Sequence, residues 1–285
     1  MKLYLVDVFA EEKYQGNQLA VLIPDRETPI SEMQQIAREI NFSETTFITS
    51  GKQGNGGYDV KIFTPDTEVP FAGHPTLGTA YIIHKEIEKG ATDKVLLNLQ
   101  VGTIPVDVKG DTLIMAQNQP NFEMTVKDKG RIAEILKING DDISDEYPIQ
   151  IVSTGLSCLI AQVKTLEALG NCRIDHEKFS RFHEEVCKTN LLVFAREDDD
   201  VLRVRVFMDD TGFLEDPATG SANGNLAAYL LKHNFFGKSV IKYSAKQGYE
   251  MGRPSLISVN ASLTDGKYQL MVGGKVQPVA EGKWY

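Results

Sequence analysis

Short runs of aliphatic and β-branched residues, separated by glycine and asparagine, dominate the pattern of hydrophobic positions along the chain. LYLVDVF at 3–9 and LAVLI at 19–23 predict two strands. The run 43–48 predicts a third strand, and the glycine-rich stretch 51–57 then turns the chain into YDVKIF as a hairpin. Further short strands are predicted near the end of the chain. The pattern therefore indicates a protein built largely on sheets.

A smaller number of segments follow the helical period. Apolar residues recur at i, i+3, i+4 and i+7 between residues 33 and 40, which predicts a helix. Ser31 and Gln34 have the spacing of a capping box at its start.

Two segments that lie 147 positions apart resemble each other: EVPFAGHPTLGTAYII at 68–83 and EDPATGSANGNLAAYL at 215–230. The same offset carries the strand at 43–48 onto LLVFA at 191–195. The predicted fold class is therefore α+β, with two pseudo-symmetric halves. Each half is expected to be a mixed sheet around a central helix, and the two are expected to meet across a cleft.

The boundary between the halves is predicted where polar residues and Pro120 interrupt the pattern, within 116–122. The expected N-terminal lobe is 1–118, completed by the last strand at about 277–285, and the C-terminal lobe is 119–276.

A glycine precedes the predicted central helix of each half, at Gly73 and Gly220. Pro75 suits a first helical turn, which makes His74 the expected N-cap, and Ser221 is the expected N-cap of the second helix. Two such helix starts would offer amide donors to a carboxylate or a phosphate. The alternative is that both glycines are ordinary turn residues.

Composition limits the classes of partner. The 285 residues carry a net charge of −9, which disfavours nucleic acid and anionic membrane surfaces. No apolar stretch is long enough to span a bilayer, and the opening residues do not read as a signal peptide. Three widely spaced cysteines argue against a disulfide framework or a zinc site. A cytoplasmic location is predicted.

Several acid–base candidates fall near the two similar segments. Glu44 on a strand would share a face with apolar neighbours, which would raise its pKa toward that of a useful base; an ordinary edge glutamate is the alternative. His74 could shuttle a proton or only cap a helix, and Asp216 could carry a proton or only bond to turn amides. Arg203 and Arg205 share one strand face, where surface pairing is expected.

Common motifs for nucleotide, phosphate, metal or serine chemistry do not occur in the sequence. GxGxxG, GxxxxGK[ST], HExxH and GxSxG are all missing. The segment most similar to GxSxG surrounds Ser221, but residue 219 is Thr where that motif requires Gly. Acid–base chemistry without metal or nucleotide is the simplest enzymatic hypothesis that remains.

The chain resembles the phenazine-biosynthesis PhzF-like family. The resemblance rests on NFSETTF at 41–47, FTPDTEVPFAGHPTLGTA at 63–80, GFLEDPATGSANGNLAAYL at 212–230, VDVFAEEKYQGNQLAV at 6–21, and the MGRPS and VGG segments. It implies a diaminopimelate epimerase-like fold, a catalytic set of Glu44, His74 and Asp216, and substrate contacts from Ser43, Gly73, Gly220 and Ser221. It also implies no cofactor, no metal and a homodimer. The epimerase relatives use two cysteines at the helix starts, and this chain has none there.

The function expected from this resemblance is a cofactor-independent isomerase that shifts a proton on a small carboxylated substrate in the cleft. A binding protein that holds a carboxylate without chemistry, or a scaffold with a vestigial cleft, would have the same motifs.

Overall fold

The computed structural model describes residues 1–208 and 213–285, and it divides the chain into two compact units. The first unit consists of residues 1–116 and 273–285, and the second of residues 117–272. The first residue of the 212–230 motif lies outside the described residues. No helix among the described residues is long and apolar enough to cross a membrane.

The first unit contains eight strands, two α-helices and a π-helical turn along its first segment. They are β1 (Lys2–Val8), β2 (Asn17–Ile23), α1 (Ile30–Ile40), β3 (Thr45–Ile48), β4 (Tyr58–Phe63), β5 (Glu68–Val69), α2 (Gly73–Ile82), the π-helical turn (Ile83–Ile87), β6 (Lys94–Leu99), β7 (Gly102–Lys109) and β8 (Thr112–Ala116).

The second unit follows with β9 (Asn121–Val126), α3 (Lys129–Leu136), a 3₁₀ turn (Gly140–Asp142), β10 (Ile149–Ser153), β11 (Ser157–Gln162), α4 (Leu166–Asn171), α5 (His176–Glu185), β12 (Asn190–Asp198), β13 (Val201–Phe207), β14 (Glu215–Asp216), α6 (Gly220–Lys232), β15 (Val240–Gln247), a second 3₁₀ turn (Tyr249–Met251) and β16 (Ser255–Thr264). The last strand, β17 (Lys267–Lys283), supplies residues to both units.

The strands of the first unit form a closed ladder. β1 pairs antiparallel with β2 and β17, β2 runs parallel to β3, and β3 pairs antiparallel with β4. β4 then runs parallel to β6, which continues through β7 and β8 to β17. The hairpin predicted from the glycine-rich stretch is confirmed as β3 and β4.

The second unit repeats this order of pairings. β11 runs parallel to β12, β12 pairs antiparallel with β13, and β13 runs parallel to β15, which pairs antiparallel with β16. The short strands β5 and β14 pair in the same way with β4 and β13. The predicted α+β class with pseudo-symmetric halves is confirmed.

The central helices α2 and α6 are buried on nearly all sides. Small residues let the strands approach them closely. A methyl group added at Gly78 of α2 would lie 2.5 Å from Leu19 and 2.9 Å from Val8. Small residues at such positions leave room for the barrel wall, because protein interiors pack to a density without spare space.

The predictions for the helix caps were wrong. α2 starts at Gly73 with Ala72 as N-cap, and α6 starts at Gly220 with Thr219 as N-cap. His74 and Ser221 are buried inside the first turns, so neither can act as the cap.

The capping box predicted for α1 does not form. Its N-cap is Pro29, without a side-chain bond. The Gln34 amide instead donates to the carbonyls of Thr64 and Pro65, at 2.9 and 3.0 Å. Only the tertiary fold brings these carbonyls close to α1. The Gln34 side chain bonds to them and not, as the local pattern had predicted, to the start of the helix.

Candidate active site

Glu44 lies directly before β3, which begins at Thr45. The sequence analysis had placed it inside a strand at 43–48. Its side chain is 19% exposed, and its Oε2 atom is buried without a hydrogen bond among the described residues. Burial raises the pKa of Glu44 from 4.5 to about 7, although a hydrogen bond with the Ser43 side chain acts to lower it. Desolvation disfavours the charged form, and this is the reason the sequence offered for a raised pKa.

The His74 imidazole faces this carboxylate. Its Nε2 atom lies 3.5 Å from Oε2 of Glu44, and its side chain is 6% exposed. The contact is an ion pair only when the imidazole is protonated. The two titratable groups thus face each other within the first unit, at a distance longer than that of a hydrogen bond.

Hydrogen bonds hold the elements that carry these two residues. The hydroxyl groups of Thr46 on β3 and Thr79 on α2 lie 2.8 Å apart and are buried. The Ser43 hydroxyl oxygen also lies 3.5 Å from the side-chain oxygen of Asn17 at the start of β2. Strand and helix are thus tied together within a short distance of Glu44 and His74, which limits how far their side chains can move apart.

The first turn of α2 begins at Gly73, and this turn carries His74 and Pro75. Proline has no N–H, so the amide donors that this helix start can offer come from the residues before it. The sequence prediction for Gly73 was an amide contact with an anion, and the structure gives that residue the required place at a helix start.

Asp216 ends β14 in the second unit and is 9% exposed. Its Oδ2 atom accepts a hydrogen bond of 2.5 Å from the Thr219 hydroxyl. Gly220 then begins α6, and Ser221 follows it with 8% exposure. The acid, the helix start and the serine predicted from the sequence are therefore close along one turn of this unit.

Arg205 was predicted as a surface residue, and this is wrong. Only 4% of its side chain is exposed, and its guanidinium makes two bonds to the carboxylate of Glu215, at 2.8 and 2.7 Å. It also donates to the carbonyls of Leu169 and Cys172, at 3.0 and 2.7 Å. The two carbonyls lie at the end of α4, more than 30 residues earlier in the chain, so the alternation of arginine and valine could not identify them.

Gln247 is a second residue that the sequence did not single out. It is fully buried and bonds to the segment between Asp216 and Asn223. The only sequence signal was its place directly before Gly248 and four residues before the start of the MGRPS segment.

Comparison with known proteins gives the context for this geometry. The family model described as phenazine biosynthesis-like protein matches residues 6–282. The chain belongs to this family. It is 36% identical to the trans-2,3-dihydro-3-hydroxyanthranilate isomerase of Pseudomonas fluorescens, over 90% of this chain and 89% of that protein. It is also 36% identical to an uncharacterized isomerase of Clostridium acetobutylicum, over 90% and 88% of the two chains.

The fold has a close match among solved structures of the family. The Bacillus anthracis phenazine biosynthesis protein, PhzF family, aligns with a TM-score of 0.89 at 23% identity, covering all of this chain and 99% of that one. The family model and the relatives that are 36% identical confirm the predicted membership of the phenazine biosynthesis-like family and the prediction of an enzyme of the isomerase class. The roles of the individual site residues stay predictions.

Proposed function

We propose that this chain is a cofactor-independent isomerase that moves a proton on a small carboxylated substrate, with Glu44 as the base. The observation that carries the proposal is a largely buried carboxylate with a pKa of about 7, placed 3.5 Å from the His74 imidazole. A group whose pKa lies near the working pH can take up and release a proton with equal ease. Independence from a cofactor is inferred from the family resemblance.

In the proposed reaction, Glu44 removes a proton from a carbon atom made acidic by conjugation or by a neighbouring carboxyl group. The electron pair of the broken C–H bond enters the conjugated system of the substrate. Amides at the helix starts stabilise the resulting anion. Glu44, His74 or Asp216 then delivers a proton to a different atom of the same molecule. Nothing is oxidised or reduced, and substrate and product have the same composition.

The substrate class is argued from the helix starts and from the relatives. Helix N-termini favour negatively charged groups. The Pseudomonas fluorescens relative is named for a carboxylated cyclic substrate, and we propose a small acid of this general kind for the present chain. That both helix starts contact one substrate molecule remains a prediction from the similarity of the two halves, as do the homodimer and the cytoplasmic location.

The test is incubation in deuterated water with a panel of cyclic and unsaturated amino and hydroxy acids that includes trans-2,3-dihydro-3-hydroxyanthranilate. Deuterium at carbon is measured by NMR and mass spectrometry. The wild type and a Glu39→Gln control, which changes an exposed carboxylate on α1, should both incorporate deuterium. Glu44→Gln should be slower by about 10²- to 10⁴-fold.

Two results would overturn the proposal. One is a Glu44→Gln variant that exchanges as fast as the wild type. The other is a set of panel acids that raise the melting temperature of the wild type without any incorporation, which would identify a carboxylate-binding protein.

A further inference from the structure

The Gln247 side chain holds together the turn that leads from Asp216 into α6. Its Nε2 atom donates to the Asp216 carbonyl at 2.8 Å and to the Thr219 hydroxyl oxygen at 3.0 Å. Its Oε1 atom accepts from the Thr219 backbone N–H at 3.2 Å and from the Asn223 side-chain amide at 3.1 Å. Both the nitrogen and the oxygen of the Gln247 amide therefore form hydrogen bonds with residues 216–223.

The bonds to Thr219 determine where its hydroxyl hydrogen points. The oxygen already accepts from Gln247, so the hydrogen is directed to the remaining partner, Oδ2 of Asp216, at 2.5 Å. Hydrogen bonds to a charged group are shorter and stronger than those between neutral groups. The chain Gln247–Thr219–Asp216 thus fixes the orientation of the carboxylate, and it is buried along most of its length.

The first unit shows what the same turn looks like without these bonds. The ladder pairs Phe63 with Glu68 in that unit and Phe207 with Glu215 in the other, so the short strands correspond. Val69 then takes the place of Asp216, and Ala72 takes the place of Thr219.

The residue of the first unit that corresponds to Gln247 is found from the parallel strand pairs β4–β6 and β13–β15. Tyr58 pairs with Leu97 on β6, and Leu202 pairs with Ala245 on β15. Two residues further along each strand, the first unit has Leu99 where the second has Gln247. Leu99 is 8% exposed, so an apolar side chain fills this position without loss of the fold.

A different interaction is shared by both units. Lys61 pairs with Glu68 at 3.0 Å, and Arg205 pairs with Glu215 at 2.7 Å, at corresponding places on β4 and β13. An interaction present in both halves can be explained by the needs of the common architecture. The network of Gln247, Thr219 and Asp216 cannot be explained in this way. The first unit has the same strands, turn and helix, although the three corresponding residues there are apolar.

We propose that Gln247 and Thr219 are positioning residues that orient the Asp216 carboxylate for proton transfer. The proposal rests on the proposed isomerase function for its catalytic consequence, since Asp216 is there a proton-handling group. Its structural part, that the amide of Gln247 immobilises residues 216–223, is independent of any substrate.

The test uses a matched pair at Thr219 and one variant that copies the first unit. Thr219→Ser keeps the hydroxyl, Thr219→Val keeps the shape but removes it, and Gln247→Leu reproduces Leu99. With a panel acid that exchanges, Thr219→Val should lower kcat by about 10- to 100-fold with KM little changed, and Thr219→Ser should restore most of kcat. A Ser variant as impaired as the Val variant, or a loss confined to KM, would overturn the positioning role.

A second measurement needs no turnover. Amide hydrogen exchange followed by mass spectrometry should show faster exchange in peptides covering 213–223 of Gln247→Leu, while peptides of α2 are unchanged. Unchanged exchange at 213–223 would refute the proposal even if the variant is less active. If the wild type acts on no panel acid, the proposed isomerase function fails, and this measurement still decides whether Gln247 holds the turn.

Discussion

Removing the charge of Glu44 should stabilise the protein, and the gain should grow with pH. The pKa of Glu44 rises from 4.5 to about 7 on folding because the carboxylate loses water. At low pH the group is protonated in both the folded and the unfolded chain, and burial of its charge costs nothing. Between pH 4.5 and about 7 the unfolded chain releases the proton while the folded chain keeps it, so stability falls as the pH rises.

The size of the effect follows from the shift. A pKa raised from 4.5 to about 7 corresponds to a loss of roughly 3 kcal/mol in the free energy of unfolding once the pH exceeds the folded pKa. Glu44→Gln cannot ionise and escapes this loss. The variant should therefore match the wild type in acid and exceed it by up to about 3 kcal/mol in mild alkali.

Urea denaturation of both proteins at several pH values between about 5 and about 8 measures this difference directly. Glu39→Gln serves as the control, since Glu39 is exposed on α1 and its replacement should give no difference that grows with pH. A constant difference between Glu44→Gln and the wild type would refute the reasoning. A variant that becomes less stable than the wild type as the pH rises would refute it as well.

Four other substitutions test how the fold is held, each by urea denaturation. Arg205→Met should lower the free energy of unfolding by about 3–5 kcal/mol, because it leaves Glu215 unpaired in a largely buried place. Lys61→Met removes the corresponding pair at a side chain that is 33% exposed and should cost about 1 kcal/mol or less. Equal losses in the two variants would contradict this. Thr45→Val should stabilise by about 1 kcal/mol, since the buried Thr45 hydroxyl makes no hydrogen bond with any residue that the structure describes, and a loss of stability would contradict this. Gly248→Ala should destabilise by more than about 1 kcal/mol, since Gly248 has a φ of +76° and an added methyl group would lie 2.3 Å from a backbone carbonyl; wild-type stability would refute this.

Local patterns were sufficient for strands β1 to β4 and for the positions of the central helices. The alternation and turn residues around 51–57 predicted β3 and β4 because both signals lie within a few residues of each other. The similarity of 68–83 and 215–230 placed α2 and α6, since a repeated order of proline, glycine and apolar residues reports a repeated structural unit.

Local patterns failed where the partner of a side chain lies far away in the chain. Gln34 bonds to carbonyls some 30 residues further on instead of capping α1. Arg205 is buried against the end of α4, and Gln247 bonds to a turn that precedes it by about 30 residues. Hydrophobic periodicity reports which face of an element is covered, but it does not report what covers it.

Residue types and spacing in the sequence determined the α+β class and the two similar halves. They also raised Glu44, His74 and Asp216 as acid–base candidates, but left each with a structural alternative, and the catalytic set was implied by the family resemblance. The tertiary structure alone decided that the Glu44 carboxylate lies against His74 with a raised pKa, and that Thr219 and Gln247 bind the Asp216 turn. The physical reason is that desolvation and hydrogen-bond geometry depend on which distant residues pack around a group, and only the folded chain brings those residues together.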